Sequence, residues 1–187
     1  MQTIRVHIVG ISQRAPYLEY LRKHLPGAYF YIDMGNAMEA FLASLRAAGD
    51  DPIIGMEDDA ILCKDFLTKA TACIEQHPND VINFFSRRQD DLTIGSRYVP
   101  GSNFIAAICA YYPPGIAREI VNYYPRWERA EEHPTGVDYL VADYLKSIKK
   151  RVYIPIPNLV DHRIGKSAID PRRSSKRVSL TFIDGAD

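Results

Sequence analysis

Ile53-Ile54-Gly55-Met56-Glu57-Asp58-Asp59-Ala60 decides the fold. The short apolar run Ile53 to Met56 reads as a central strand, and three carboxylates follow it at once. Adjacent acids repel one another and lose solvation when partly buried. A cation offsets both costs, and carboxylate oxygens suit hard divalent ions such as Mg²⁺ or Mn²⁺. On an extended segment Glu57 and Asp59 point to one side and Asp58 to the other. Two acids at i and i+2 can then hold one metal and the nucleotide around it. Ligands of open α/β sheets bind beyond the carboxyl ends of the strands, where these acids fall. The competing reading is a solvated turn that caps the next helix.

Working outward, strands and helices alternate. Ile4 to Val9 reads as a strand closed by Gly10, with a loop at Ser12 to Arg14. Tyr17, Leu18, Leu21 and Leu25 recur at helical spacing over 15–25, and Pro26-Gly27 stops that helix. The pattern predicts a strand over 28–32, a helix over 38–48 and a helix from about Asp65 to Gln76. Strands follow over 81–85 and 105–112, with a long loop at 87–103 between them. Helices are expected over 116–124 and 137–148. A last strand over 152–156 carries prolines, which predicts an edge position. Such alternation implies an α/β domain with a mostly parallel sheet flanked by helices. We expect one domain over 1–170 and a basic tail over 171–187, which contains Arg172-Arg173-Ser174-Ser175-Lys176-Arg177.

The chain has 187 residues, 47% of them apolar, enough for one core. Lys plus Arg and Asp plus Glu both number 23, so net charge argues neither for nor against a polyanionic partner. Cys63, Cys73 and Cys109 sit in apolar surroundings and read as buried thiols of a reducing compartment. No apolar run approaches the roughly 20 residues of a membrane span. The N-terminus is too short and interrupted for a signal peptide. These features predict a cytoplasmic protein without integral membrane contact.

Pro52 to Ala60 resembles the strand-plus-acids motif of family-25 glycosyltransferases, the lipooligosaccharide type. Later segments resemble that family in the same order: Gly101-Ser102-Asn103-Phe104 through Tyr112, Gly136-Val137-Asp138, Val152 to His162, and Gly165-Lys166-Ser167-Ala168-Ile169. The chain departs from the family at Gly10-Ile11-Ser12-Gln13-Arg14 and in its short length. The resemblance implies a GT-A fold, a nucleotide-sugar donor such as a UDP-sugar, and Mn²⁺ or Mg²⁺ on an Asp-x-Asp-like element. On that reading Asp59 and Glu57 bind metal, and Glu57 or Asp58 meets the ribose or a metal-bound water. His162, after the last strand, adds a metal or diphosphate ligand.

Other residues join on their own chemistry. Arg14, after the first strand, can contact phosphate. Gly165-Lys166-Ser167 lacks the upstream glycine of a phosphate loop, yet Lys166 and Ser167 suit a diphosphate. Asp138 either caps a helix or takes the acceptor's proton. The acceptor is expected to be a saccharide or glycolipid hydroxyl. The basic clusters 149–151 and 172–177 raise the alternative of DNA carrying hydroxymethylated bases. A non-catalytic nucleotide-sugar module and a metal-dependent phosphohydrolase are the remaining classes.

Overall fold

Adjacent residues of the central strands are apolar on both sides, and the reason is visible in how they divide. The computed structural model describes residues 4–165, 177–183 and 185. In β3 (Ile53–Glu57), Ile53 packs into one hydrophobic cluster and Ile54 into another. Val81 and Ile82 of β5 (Val81–Asn83) split in the same way, as do Tyr112 and Tyr111 of β7 (Cys109–Tyr112). Successive side chains of a strand point to opposite faces, so a sheet covered on both faces needs continuous apolar runs.

Helices supply the two covers. α1 (Ala15–His24) and α3 (Phe66–Gln76) bury Leu18, Leu21, Phe66, Ala70 and Ile74 against one face. α2 (Ala37–Ala48), α5 (Ile116–Tyr123) and α6 (Val137–Ser147) cover the other. The Asn36 side chain accepts from the Glu39 amide at 3.0 Å and caps α2 at its start. Gly49, at φ +60°, ends that helix.

Seven strands form the main sheet in the order β2-β1-β3-β7-β5-β8-β6. They include β1 (Arg5–Ile11), β2 (Tyr29–Asp33), β6 (Arg97–Pro100) and β8 (Arg151–Ile154). β2, β1, β3, β5 and β8 run one way, while β7 and β6 run against them. The architecture is therefore mixed α/β with a mostly parallel sheet. A small second sheet pairs β4 (Ala60–Leu62) with β9 (Val160–His162), antiparallel.

Three expectations change. β8 lies inside the sheet between β5 and β6, because Pro155 and Pro157 fall beyond its paired residues. The loop expected over 87–103 holds a short helix, α4 (Asp91–Ile94), and the true edge strand β6. The strand expected from Ile105 begins at Cys109. Residues 105–108 instead turn through Ala106 at φ +57°, with the Asn83 side-chain amide donating to the Ile105 carbonyl at 3.0 Å. Lys166, Ser167 and most of the expected basic tail lie outside the described residues.

Candidate functional site

The acids sit where β3 runs out. Glu57 is its last residue, and its amide donates to the Ile108 carbonyl at 2.8 Å. Asp58 and Asp59 form the turn into β4. The turn breaks the extended geometry expected from the sequence, so Asp58 and Asp59 share one partner instead of pointing apart. Arg14 Nη1 donates to Asp58 Oδ1 at 2.6 Å and to Asp59 Oδ2 at 2.7 Å. Asp58 Oδ2 accepts from the Ile11 amide at 2.9 Å. Arg14, expected to contact phosphate, pairs with these two carboxylates and keeps its side chain 20% exposed.

β9 delivers His162. Its register places His162 opposite Ala60, beside the acid turn, and the Arg163 amide donates to the Asp59 carbonyl at 2.9 Å. His162 Nε2 lies 3.2 Å from Asp59 Oδ2. Asp161 does not orient the ring: its Oδ1 accepts from the Ser179 amide at 2.7 Å. Asp138, in the first turn of α6, faces the same cavity.

That cavity holds about 310 Å³. The ends of β1, β2 and β3, the α2 residues Ala37 and Phe41, and residues 105–108 wall it, with Asp138, Tyr139 and Arg177 on the far side. Its electrostatics are unusual. Burial, and then the carboxylates of Asp59 and Asp138, push Glu57 up to about 8, with Arg177 opposing. Burial also raises Asp58, against the Ile11 amide and Arg14. Burial would raise Asp59 too, but the His162 hydrogen bond and charge together with Arg14 outweigh it, and Asp59 is lowered.

Asp59 Oδ1 is buried with no hydrogen-bond partner. A buried anionic oxygen left unmet is costly, and a hard cation would satisfy it. Among the described residues no group of three or more His, Cys, Asp or Glu side chains is arranged to hold a metal ion. The Asp59 carboxylate suits an ion whose shell substrate phosphates and water would complete, as is usual for Mg²⁺, and His162 stands beside it.

Several residues were not singled out by the sequence. Asp33, at the end of β2, lines the cavity, and its Oδ1 accepts from the Gly35 amide at 2.7 Å. Its place after a parallel strand is the signal that could have marked it. Tyr139 carried no local signal, and Arg177 was marked only as part of the basic cluster 172–177; long-range packing brings both in. Arg87 is different: its place after the strand over 81–85 marks it in the sequence as a candidate to meet the sugar, the acceptor or nothing, and it lines the cavity. Tyr98 does not line it: its hydroxyl donates to Asp80 Oδ2 at 2.7 Å. Asp143, on α6, accepts from Trp127 Nε1 at 2.9 Å.

Two solved structures share the fold. The chain superposes on A197 from STIV, a viral protein, with a TM-score of 0.52 and 17% identity, covering 99% of this chain and 97% of that one. It superposes on S. aureus TarS 1–349, a glycosyltransferase, with a TM-score of 0.53 and 13% identity. That match covers 81% of this chain and 58% of TarS 1–349. The likeness is one of fold. No family model matches the sequence, and no curated protein matches it. No described helix is long and apolar enough to cross a membrane.

Proposed function

We propose that this chain is a glycosyltransferase that moves a sugar from a nucleotide-sugar donor, such as a UDP-sugar, to a saccharide hydroxyl, assisted by Mn²⁺ or Mg²⁺. The observation that carries the reading is the buried, unmet Oδ1 of Asp59, a residue that lines a cavity at the ends of parallel strands, with His162 beside the same carboxylate. The ordered motifs resembling family-25 glycosyltransferases support it, as does the fold shared with TarS. Three free cysteines agree with a cytoplasmic enzyme.

Each residue has its part. Asp58 holds Arg14 and the Ile11 amide, and so fixes the floor of the site. Asp59 and His162 would hold the ion, and Glu57 lines the same cavity. Such an ion would supply positive charge to the departing diphosphate. Asp33, at the β2 end, faces the nucleoside. In transfer the acceptor oxygen bonds to the anomeric carbon. The bond from that carbon to the diphosphate oxygen breaks, and its electron pair leaves with the diphosphate. Asp138 takes the acceptor's proton in an inverting course; in a retaining one it positions the acceptor, and the proton passes to the departing diphosphate oxygen.

A thermal-shift screen of nucleotide sugars with and without Mn²⁺ tests the reading. One donor should raise the unfolding temperature only with metal, and Asp59→Ala should abolish that rise. A metal-dependent shift that is the same in Asp59→Ala would overturn the site assignment.

A further inference from the structure

Arg177 reaches the acid turn from the far end of the chain, on a segment that is anchored. Ser179 Oγ donates to Asn158 Oδ1 at 2.7 Å, and the Ser179 amide donates to Asp161 Oδ1 at 2.7 Å. Phe182 packs against the core on the α1 and α3 side, and Gly185 bridges Cys63. These contacts set where the guanidinium stands.

The guanidinium is poorly matched there. Arg177 Nη2 lies 3.0 Å from His162 Nε2, the nitrogen that also lies 3.2 Å from Asp59 Oδ2. One ring nitrogen cannot donate to Asp59 and accept from Arg177 at once. Arg177 Nε is buried with no partner, and no carboxylate pairs with this guanidinium among the described residues. Arg14 differs, because Asp58 and Asp59 both engage it. Three described residues lining the cavity carry a buried, unmet atom, Asp59 Oδ1, His162 Nδ1 and Arg177 Nε, and the first and last have opposite needs. Asp59 Oδ1 requires a cation, and Arg177 Nε requires an anionic acceptor. A diphosphate carrying a metal ion presents both.

Resting on the nucleotide-sugar reading, we infer that Arg177 is a second, protein-borne cation for the donor's diphosphate, giving the site a component of diphosphate binding that needs no metal. A guanidinium suits this role because its planar fork matches two phosphate oxygens at once.

Calorimetric titration of UDP, GDP, ADP, CDP and dTDP into the full chain, in Mn²⁺ and in EDTA, tests this. At least one diphosphate should bind the wild type in Mn²⁺ and bind more weakly in EDTA. In EDTA, Arg177→Ala and Arg177→Gln should each lose about tenfold or more in affinity for it. Arg177→Lys should recover part of that loss, since it keeps the charge without the fork. The matching nucleoside should bind all four proteins alike, which separates lost charge from a disturbed cavity. Equal affinity of wild type and Arg177→Ala in EDTA overturns the role of Arg177 and leaves the nucleotide-sugar reading standing. So does wild-type binding that vanishes in EDTA but is present in Mn²⁺. Failure of every diphosphate to bind the wild type in both conditions overturns both.

Discussion

Gly10 controls how close Asp58 comes to β1. A Cβ there would stand 2.7 Å from Asp58 Cβ and 2.8 Å from Leu18 Cδ2. Neither neighbour can give easily, since Leu18 is packed in the core and Asp58 is tied to Ile11 and Arg14. Gly10→Ala should therefore cost about 1–3 kcal/mol in denaturant unfolding, within the usual range for overpacking. An unchanged midpoint would mean that β1 and the acid turn have slack between them. Residue by residue, the sequence marked Glu57, Asp58, Asp59, Asp138 and His162, all of which line one cavity. It misjudged direction. The i, i+2 rule holds only along an extended segment, and the chain turns at Asp58, so Asp58 and Asp59 grip Arg14 together.

Elements carry the second lesson. β1 packs its buried His7 beneath α2, where His7 Nδ1 donates to the Ser44 carbonyl at 2.9 Å. His7 Nε2 is buried without a partner. Burial, partly offset by the Ser44 carbonyl, lowers the His7 pKa below 6.5. The unfolded chain thus takes up a proton first as pH falls. Stability from this group is full above about 6.5 and is lost as pH drops toward the lower folded value. Stability measured between pH 7 and 5 should fall more steeply for wild type than for His7→Asn, which retains a donor for Ser44. Parallel curves would show that His7 titrates freely in the fold. Periodicity made the long helices legible, because Leu18, Leu21, Leu42 and Leu45 mark one buried face each. It did not reveal β6 or β9. Both are short, and what defines each is pairing with a strand distant in sequence, β8 for one and β4 for the other. The prolines that suggested an edge for β8 lie past its ladder.

At the scale of the whole molecule, the sheet order gathers the ends of β1, β2 and β3 around one cavity, and α6 and β9 close it. Alternating strands and helices made the α/β class readable. The reversed β7 was not readable, since parallel and antiparallel strands buried on both faces carry the same apolar runs. Arg177 belongs to this scale as well. Within a run of basic residues it looks like tail, and only the docking of Ser179 and Phe182 brings it to the acids. In the proposed function this cavity breaks the bond between a nucleoside diphosphate and a sugar. Mass spectrometry of the protein incubated with Mn²⁺ and a panel of nucleotide sugars tests it directly, with water standing in as a slow acceptor. One donor should release its nucleoside diphosphate and free sugar, and Asp59→Ala should be silent. Release from none of the donors, or equal release by Asp59→Ala, would contradict the account.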